Sequence, residues 1–357
     1  MTPPDLGTVL VTGGAGFIGC ALSERLAPAA ARWVVVDSLH PQVHASQSRP
    51  AALHTAAELV VGDVTEPEVW DDVLADVKPD LVIHLAAETG TAQSLSEASR
   101  HARVNVVGTT ELLDGLGRAG IVPAGFLLSS SRAVYGEGSW QRADGTSFVP
   151  GQRSHAQFER AQWDFEGATP LPSSVAATWP TPTSVYGATK LAQEHILSAW
   201  VDAHDSALGI LRLQNVYGPG QSLINSYTGI VSLFSQWAAE GRSIPVYEDG
   251  RITRDFVYID DVADAFTALA ARMPDGGVAR YDVGSGVATT ILEIAGHIAE
   301  YHGAPEPHVT GQYRDGDVRH AACDIRPTVD ALDWEPQWSV ERGVAGLQEW
   351  IAAQQAS

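Results

Sequence analysis

Short apolar runs punctuate the first third of the chain. Residues 8–12 read Thr-Val-Leu-Val-Thr, 33–37 Trp-Val-Val-Val-Asp, 59–63 Leu-Val-Val-Gly-Asp, 81–85 Leu-Val-Ile-His-Leu and 125–129 Gly-Phe-Leu-Leu-Ser. Several are almost continuously apolar rather than alternating, the pattern of strands covered by helices on both faces. Between them, stretches of mixed polarity at about 17–27, 66–76 and 92–118 predict helices. Strand and helix in alternation predict an α/β fold with a doubly wound parallel sheet.

The pattern breaks from 136 to 183, where Pro150, Pro170, Pro172, Pro180 and Pro182 occur among Trp140, Trp163 and Trp179. Prolines at that density exclude a regular helix or a central strand. The stretch reads as an insertion: either a surface segment whose tryptophans pack back onto the body, or a lid. Regular elements resume with a helix at about 184–204, a strand at 208–213, and helices near 228–241, 260–273, 289–302 and 340–354. Two units are expected. The larger takes 1–214 and about 243–285, with the insertion at about 137–183; a smaller mixed C-terminal unit takes about 215–242 and 286–357.

The 357 residues are 45% hydrophobic and 18% charged, as in a globular protein with a substantial core. Acidic residues number 43 against 22 basic, a formal charge of -21. That excess disfavours nucleic acid or an anionic membrane as partner, since both need a basic field. Any anion must then be held locally. Only Lys78 and Lys190 are lysines. Cys20 and Cys323 lie far apart and outside any metal-ligand spacing, so two buried thiols in a reducing compartment are expected, with no disulfide framework and no metal. Met1 to Gly7 has no basic n-region, and no apolar run approaches the roughly 18 residues of a membrane span. A soluble, cytoplasmic protein is expected.

Thr12-Gly13-Gly14-Ala15-Gly16-Phe17-Ile18-Gly19 follows the first strand and opens the first helix. Such a turn lets a pyrophosphate approach the free N–H groups and positive dipole of the helix start. Asp37 ends the second strand 18 residues beyond Gly19. An acid there accepts from both adenosine ribose hydroxyls and repels a 2'-phosphate, so NAD is expected rather than NADP. The larger unit therefore reads as a Rossmann-type NAD-binding domain. Asp63 and Val64 are placed to flank the adenine, although a plain turn aspartate has the same spacing.

Tyr186 and Lys190 stand four residues apart at the start of the helix after the insertion, on one helix face. A tyrosine of ordinary pKa near 10 is a poor base at neutrality, and a neighbouring cation lowers it. Ser129-Ser130-Ser131 ends the fifth strand, where a hydroxyl faces the crevice in which such sheets bind ligands. Tyr135 is a rival phenol with Ser139 instead of lysine four residues on, and reads as structural or substrate-lining. His84, on a buried strand, reads as a core histidine. Asp260, Asp261 and Asp264 form an acidic cluster that helix capping by Asp260 and a solvated first turn explain.

Together with His84-Leu85-Ala86-Ala87, Asn105 in Val-Asn-Val, and the segments 211–219 and 254–262, these motifs resemble the extended short-chain dehydrogenase/reductases of the nucleotide-sugar epimerase/dehydratase family. The resemblance runs along essentially the whole chain. It implies that Ser131, Tyr186 and Lys190 are catalytic. Ser131 would hydrogen-bond the reacting sugar oxygen, Tyr186 act as base and acid, and Lys190 hold the nicotinamide ribose and lower the tyrosine's pKa. It implies NAD contacts from Gly13, Gly16, Phe17, Ile18, Gly19, Asp37, Asp63, Val64, Leu85, Ala86, Ala87, Asn105, Ser129, Tyr186 and Lys190. Substrate contacts are implied for Glu88, Thr89, Ser131, Arg132, Asn215, Arg254 and Arg314, the arginines gripping a diphosphate. Arg251 and Arg319 remain open between phosphate ligand and salt bridge.

Dehydratases of the family carry an acidic pair directly after the strand hydroxyl, because elimination of water needs its own acid and base. Arg132 and Ala133 stand there instead, which favours reversible oxidation at C4 and therefore epimerisation. The segments 86–94, 130–138 and 214–223, with the long insertion, resemble a group that interconverts dTDP-L-rhamnose and dTDP-6-deoxy-L-talose, so a dTDP-sugar is the expected substrate. The family also implies a homodimer formed by the helices near 92–118 and 184–204. The alternatives are a UDP-sugar 4-epimerase, a 4-ketoreductase that releases its cofactor, and a non-catalytic NAD sensor; the intact Ser131, Tyr186 and Lys190 argue against the last.

Overall fold

The computed structural model describes residues 6–223 and 229–356. Met1 to Asp5, at the start of the segment read for a leader, and Thr228, the expected first residue of one helix, lie outside the described residues.

Seven parallel strands form the central sheet, in the order Gly277–Val283, Ala207–Leu213, Gly125–Ser131, Leu81–His84, Thr8–Thr12, Arg32–Asp37 and Ala57–Val61. This is the doubly wound sheet that the apolar runs predict. Strand order reverses between Thr8–Thr12 and Leu81–His84, where Thr12 and His84 are register partners and a crevice opens at the strands' C-terminal ends. Gly277–Val283 was not foreseen from the sequence. As an edge strand it is mostly half-buried, so its Gly-Val-Ala-Arg-Tyr-Asp-Val run never shows the continuous apolar pattern.

Helices cover both faces. Phe17–Leu26 and Ile259–Ala270 bury Leu22, Leu26 and Phe266 on one, and Pro67–Asp76, Gly108–Ala119 and Val185–Ala203 bury Trp70, Leu112 and Leu197 on the other. Each such side chain contributes about 1.5–3 kcal/mol. The single helix expected over 92–118 is broken into Thr91–Ser96, Ala98–Ala102, a wider π-type turn at Arg103–Val107, and Gly108–Ala119. The wide turn directs both Asn105 and Thr109 inward, where each is fully buried.

The smaller unit is built on Thr253–Tyr258, parallel to Asn215–Tyr217 and His320–Ala321 and antiparallel to Ala288–Thr290. Ile230–Ala239, Ile291–His302 and Val340–Ala356 complete it around Phe234, Phe256, Ile294, Ile298 and Leu347. Thr253–Tyr258, which lies in the stretch expected to belong to the larger unit, pairs with Asn215–Tyr217 in this second sheet, and Ile259–Ala270 packs against Phe17–Leu26. That helix is capped at Tyr258, so Asp260 is not its cap as expected. Asp260 and Asp264 instead pair with Arg25, at 3.2 and 2.9 Å, and Asp261 accepts the backbone N–H groups of Gln337 and Trp338.

The insertion is more regular than its prolines suggest. Trp140–Arg142 pairs antiparallel with Ser147–Phe148 and Ala168–Pro170, and Ser154 and Gln157 form a capping box on the short helix His155–Glu159. Trp140 is buried and Trp163 packs on Phe158, but Trp179 is 79% exposed, against the expectation that the tryptophans pack back. Cys20 and Cys323 are buried free thiols. Among the described residues no helix is long and apolar enough to cross a membrane.

Candidate active site

A cavity of about 720 Å³ opens at the C-terminal edge of the sheet. The glycine turn forms its floor. Gly13 has φ +67°, and a Cβ there would lie 2.6 Å from Ala86 N; a Cβ on Gly19 would lie 2.4 Å from Gly14 Cα. Only glycines allow the turn to close on the neighbouring loop and the helix to pack down on the turn. The helix Phe17–Leu26 starts after Gly16 with no side-chain cap, which leaves its first N–H groups for an anion.

Asp37 ends its strand at the cavity wall, where Oδ2 accepts from Ala15 N (3.0 Å) and Oδ1 from Leu39 N (2.9 Å). Each oxygen retains a lone pair for a ribose hydroxyl. Asp63 accepts from Thr65 N (2.9 Å), as a turn aspartate does, and lines the cavity beside Val64. Gly13, Gly16, Phe17, Ile18, Gly19, Leu85, Ala86, Ala87 and Ser129 also line it, so this donor and acceptor set fits a dinucleotide. Asn105 departs from the expectation of a cofactor contact. It is buried behind the wall, accepting from Glu88 N (2.7 Å) and donating to Glu88 O (3.0 Å) and Thr189 Oγ1 (2.9 Å), and so pins the lining loop.

At the inner end Ser131, Tyr186 and Lys190 converge. Ser184 caps the helix Val185–Ala203 by accepting from Gly187 N (3.0 Å), and a Cβ at Gly187 would strike Ala133 O at 2.4 Å. That close approach brings Tyr186 against the turn after Ser131. Burial pushes the phenol above its ordinary 10, while the neighbouring Ser131 hydroxyl and the charge of Arg132 pull it down. Arg132 thus adds a cationic influence on the phenol, which the sequence reading assigns to Lys190 alone.

Burial pushes Lys190 down to about 7, with the Glu194 carboxylate opposing. Its Nζ donates to Gln193 Oε1 (2.5 Å). Gln193 Nε2 lies 3.0 Å from His84 Nε2 and donates to Thr109 Oγ1 (2.9 Å), while His84 Nδ1 lies 2.7 Å from Thr12 Oγ1. Burial, aided by the Lys190 charge, holds His84 down to about 3. It is the neutral core histidine expected. Tyr135 is structural: it donates to Asp282 (2.8 Å) and accepts from Arg212 (2.9 Å), which is itself paired with Glu194 at 2.7 Å.

The expected substrate residues divide. Glu88 and Thr89 line the cavity, Glu88 paired with Arg100 at 2.8 Å. Arg132, Asn215 and Arg254 gather beyond it. Arg132 Nε donates to Asn215 Oδ1 (3.2 Å); burial and the facing charge of Arg254 push this guanidinium down to about 9. Arg254 is bound by Asp317 at 2.6 Å. Arg314 is exposed, its guanidinium 5.1 Å over the Tyr247 ring. Arg319 is buried in pairs with Asp164, Glu248 and Asp249, at 2.7, 3.0 and 2.7 Å, and is structural; Arg251 is exposed.

Sequence reasoning missed Gln193, whose signal was its place one turn beyond Lys190, and Asp317. It also missed the loop that carries Gln42 and Val43 along the cavity. Gln42 donates to Gln93 (3.0 Å), and Ser222 donates to Val43 O (3.0 Å). Those contacts join positions far apart in the chain and leave no local pattern.

Comparison with known proteins accords with this geometry. Residues 9–284 match the family model described as the NAD dependent epimerase/dehydratase family. The chain is 64% identical over 344 residues to a dTDP-L-rhamnose 4-epimerase of Burkholderia thailandensis, covering 96% of this chain and 94% of that protein. It is 32% identical over 348 residues to a UDP-glucose 4-epimerase of Mycolicibacterium smegmatis, covering 96% and 97%. Among solved structures, UDP-glucose 4-epimerase with UDP-glucose from Thermotoga maritima matches with a TM-score of 0.79 and 28% identity, over 98% of this chain and 99% of that one. MoeE5 in complex with UDP-glucuronic acid and NAD matches with a TM-score of 0.75 and 28% identity, over 98% and 100%.

Proposed function

The chain belongs to the NAD dependent epimerase/dehydratase family, and on that premise we propose that it is a 4-epimerase interconverting dTDP-L-rhamnose and dTDP-6-deoxy-L-talose through a 4-keto intermediate. The observation that carries the reaction type is the convergence of Ser131, Tyr186 and Lys190 at the inner end of the cavity, with Arg132 and Ala133 where a dehydrating acid and base would stand. The choice of dTDP-L-rhamnose rests on the 64% identical relative.

In this reading the glycine turn, Asp37 and Lys190 hold NAD in the larger unit, and Arg132, Asn215, Arg254 and Arg314 hold the nucleotide sugar toward the smaller one. The chemistry NAD supplies when bound is acceptance and return of a hydrogen with its electron pair. Tyr186, as phenolate, takes the proton of the C4 hydroxyl while Ser131 hydrogen-bonds the same oxygen. The Arg132 charge favours that phenolate. After the 4-keto sugar turns over, Tyr186 returns its proton to the oxygen and completes a cycle with no net redox change. A homodimer joined through the outer faces of 91–119 and 185–203, where Leu95 and Val107 are exposed, is part of the same proposal and is tested by light scattering.

Purified protein incubated with dTDP-L-rhamnose and no added cofactor should equilibrate it with the C4 epimer, followed by NMR of the sugar. Strict dependence on added NADH would instead mark a ketoreductase, and turnover of UDP-sugars alone would remove the dTDP assignment.

A further inference from the structure

The insertion grips one loop of the smaller unit. Alternate positions of that loop face it. Tyr313 stacks on the buried Phe158 ring, 5.0 Å between centroids and 7° from parallel. Asp315 lies 3.0 Å from His155 Nδ1, and the Asp317 carbonyl accepts from Arg153 Nη2 at 2.7 Å. Arg314 leaves the other way, over Tyr247. The segment turns at Asp315–Gly316, where Asp317 N donates to Arg314 O (3.2 Å), so that Tyr313 and Asp315 are anchored on the insertion while Arg314 is presented away from it.

Arg153 is the hub. Its side chain is wholly buried, and besides the Asp317 carbonyl it reaches Glu137 (3.3 Å), Glu248 (2.9 Å) and Trp163 O (3.1 Å), with the guanidinium 4.6 Å over the Phe158 ring. Glu137 follows the Ser131–Tyr135 turn directly, and Glu248 N donates to Gln312 O (2.7 Å). One guanidinium thus joins the segment leaving the catalytic strand, the insertion helix and both ends of the 312–317 loop. A planar, always charged fork suits such a junction, and lysine cannot reproduce it.

We propose that the insertion is a positioning element for the nucleotide sugar: Arg153, His155 and Phe158 hold the 312–317 loop so that Arg314 is presented to the substrate diphosphate at a fixed distance from Ser131 and Tyr186. This rests on the reading of Arg314 as a diphosphate contact. Such a buttress acts on binding and leaves the chemical step alone, because none of its members touches the cavity that Tyr186 lines.

Replacing Arg153 would take a charged partner from the buried Glu137 and Glu248 and threaten folding. The test therefore leaves Arg153 in place and removes one contact from each side, His155 from the insertion and Tyr313 from the loop, in the double variant His155→Ala/Tyr313→Ala. With dTDP-L-rhamnose as substrate, KM should rise about tenfold, the scale of removing one charge-assisted hydrogen bond from binding, while kcat stays within about twofold. NAD retained through gel filtration should be unchanged, and Tyr313→Phe, which keeps the stacked ring, should restore KM. Arg314→Gln is measured in parallel. If it raises KM while the double variant does not, the buttress is wrong and the arginine reading stands. If Arg314→Gln leaves KM unchanged, the diphosphate reading fails and the proposal falls with it.

Discussion

Asp317 occupies the guanidinium assigned to the substrate, so removing its charge should tighten substrate binding. The variant Asp317→Asn leaves the backbone carbonyl held by Arg153 in place and deletes only the carboxylate paired with Arg254 at 2.6 Å. Arg254 is 7% exposed at its side chain and Asp317 32%. For charges about 4 Å apart in an effective dielectric near 20 the attraction is about 4 kcal/mol, and most of it is offset when the partly exposed carboxylate is rehydrated. A net of about 1–2 kcal/mol opposes the incoming diphosphate, and Asn restores part of it as a neutral hydrogen bond. KM for dTDP-L-rhamnose should therefore fall about fivefold to tenfold. The ligand-free protein should suffer, because Arg132 and Arg254 then face each other without that intervening carboxylate. The melting temperature should drop by about 2 °C or more and recover with dTDP. Steady-state kinetics and thermal melts with and without dTDP measure both. An unchanged or raised KM would show that Asp317 orients Arg254 for the substrate instead of competing with it.

Tyr186→Phe should lower kcat by about 10²–10⁴ and leave NAD binding intact, since only the proton carrier is removed; retained turnover in single-turnover assays would move the base elsewhere. Asp37→Ala should weaken NAD by about tenfold to a hundredfold, because two ribose hydroxyls no longer have a charged acceptor, and should narrow the gap to NADP. Calorimetry with both cofactors decides, and an unaltered ratio means another group reads the ribose. Lys190 is held down to about 7, so its ammonium fraction falls as pH rises through 7. A ribose that needs that donor should bind more tightly at pH 6 than at pH 8. Lys190→Met should flatten this dependence, and an equal slope in the variant would assign the titration to another group.

The legibility of this protein differs residue by residue. The glycine turn and Asp37 were readable because a strand end, a tight turn and a helix start follow one another in the chain, and the phosphate chemistry depends on that local order. Tyr186 and Lys190 were readable for the same reason, as one turn of helix fixes their common face. Asn105 misled: its backbone setting matched the family pattern, but a wide turn drives it behind the cavity wall, and no local periodicity announces that extra residue. Arg319 and Arg254 are both arginines near the expected substrate unit, yet one is consumed by three carboxylates and the other by one. Only the partners distinguish them.

By itself, then, the sequence determined what short-range geometry determines: the apolar runs of a buried parallel sheet, the glycine turn at the first helix, the acid that ends the second strand and the tyrosine–lysine helix. The tertiary structure decided which charges are free. Lys190 takes its orientation from Gln193, the phenol gains a cation in Arg132, and the Asp317 carbonyl finds its donor in Arg153, through contacts that join distant positions of the chain. Burial and pairing set the electrostatics of such groups, and both depend on neighbours that only the folded chain brings together.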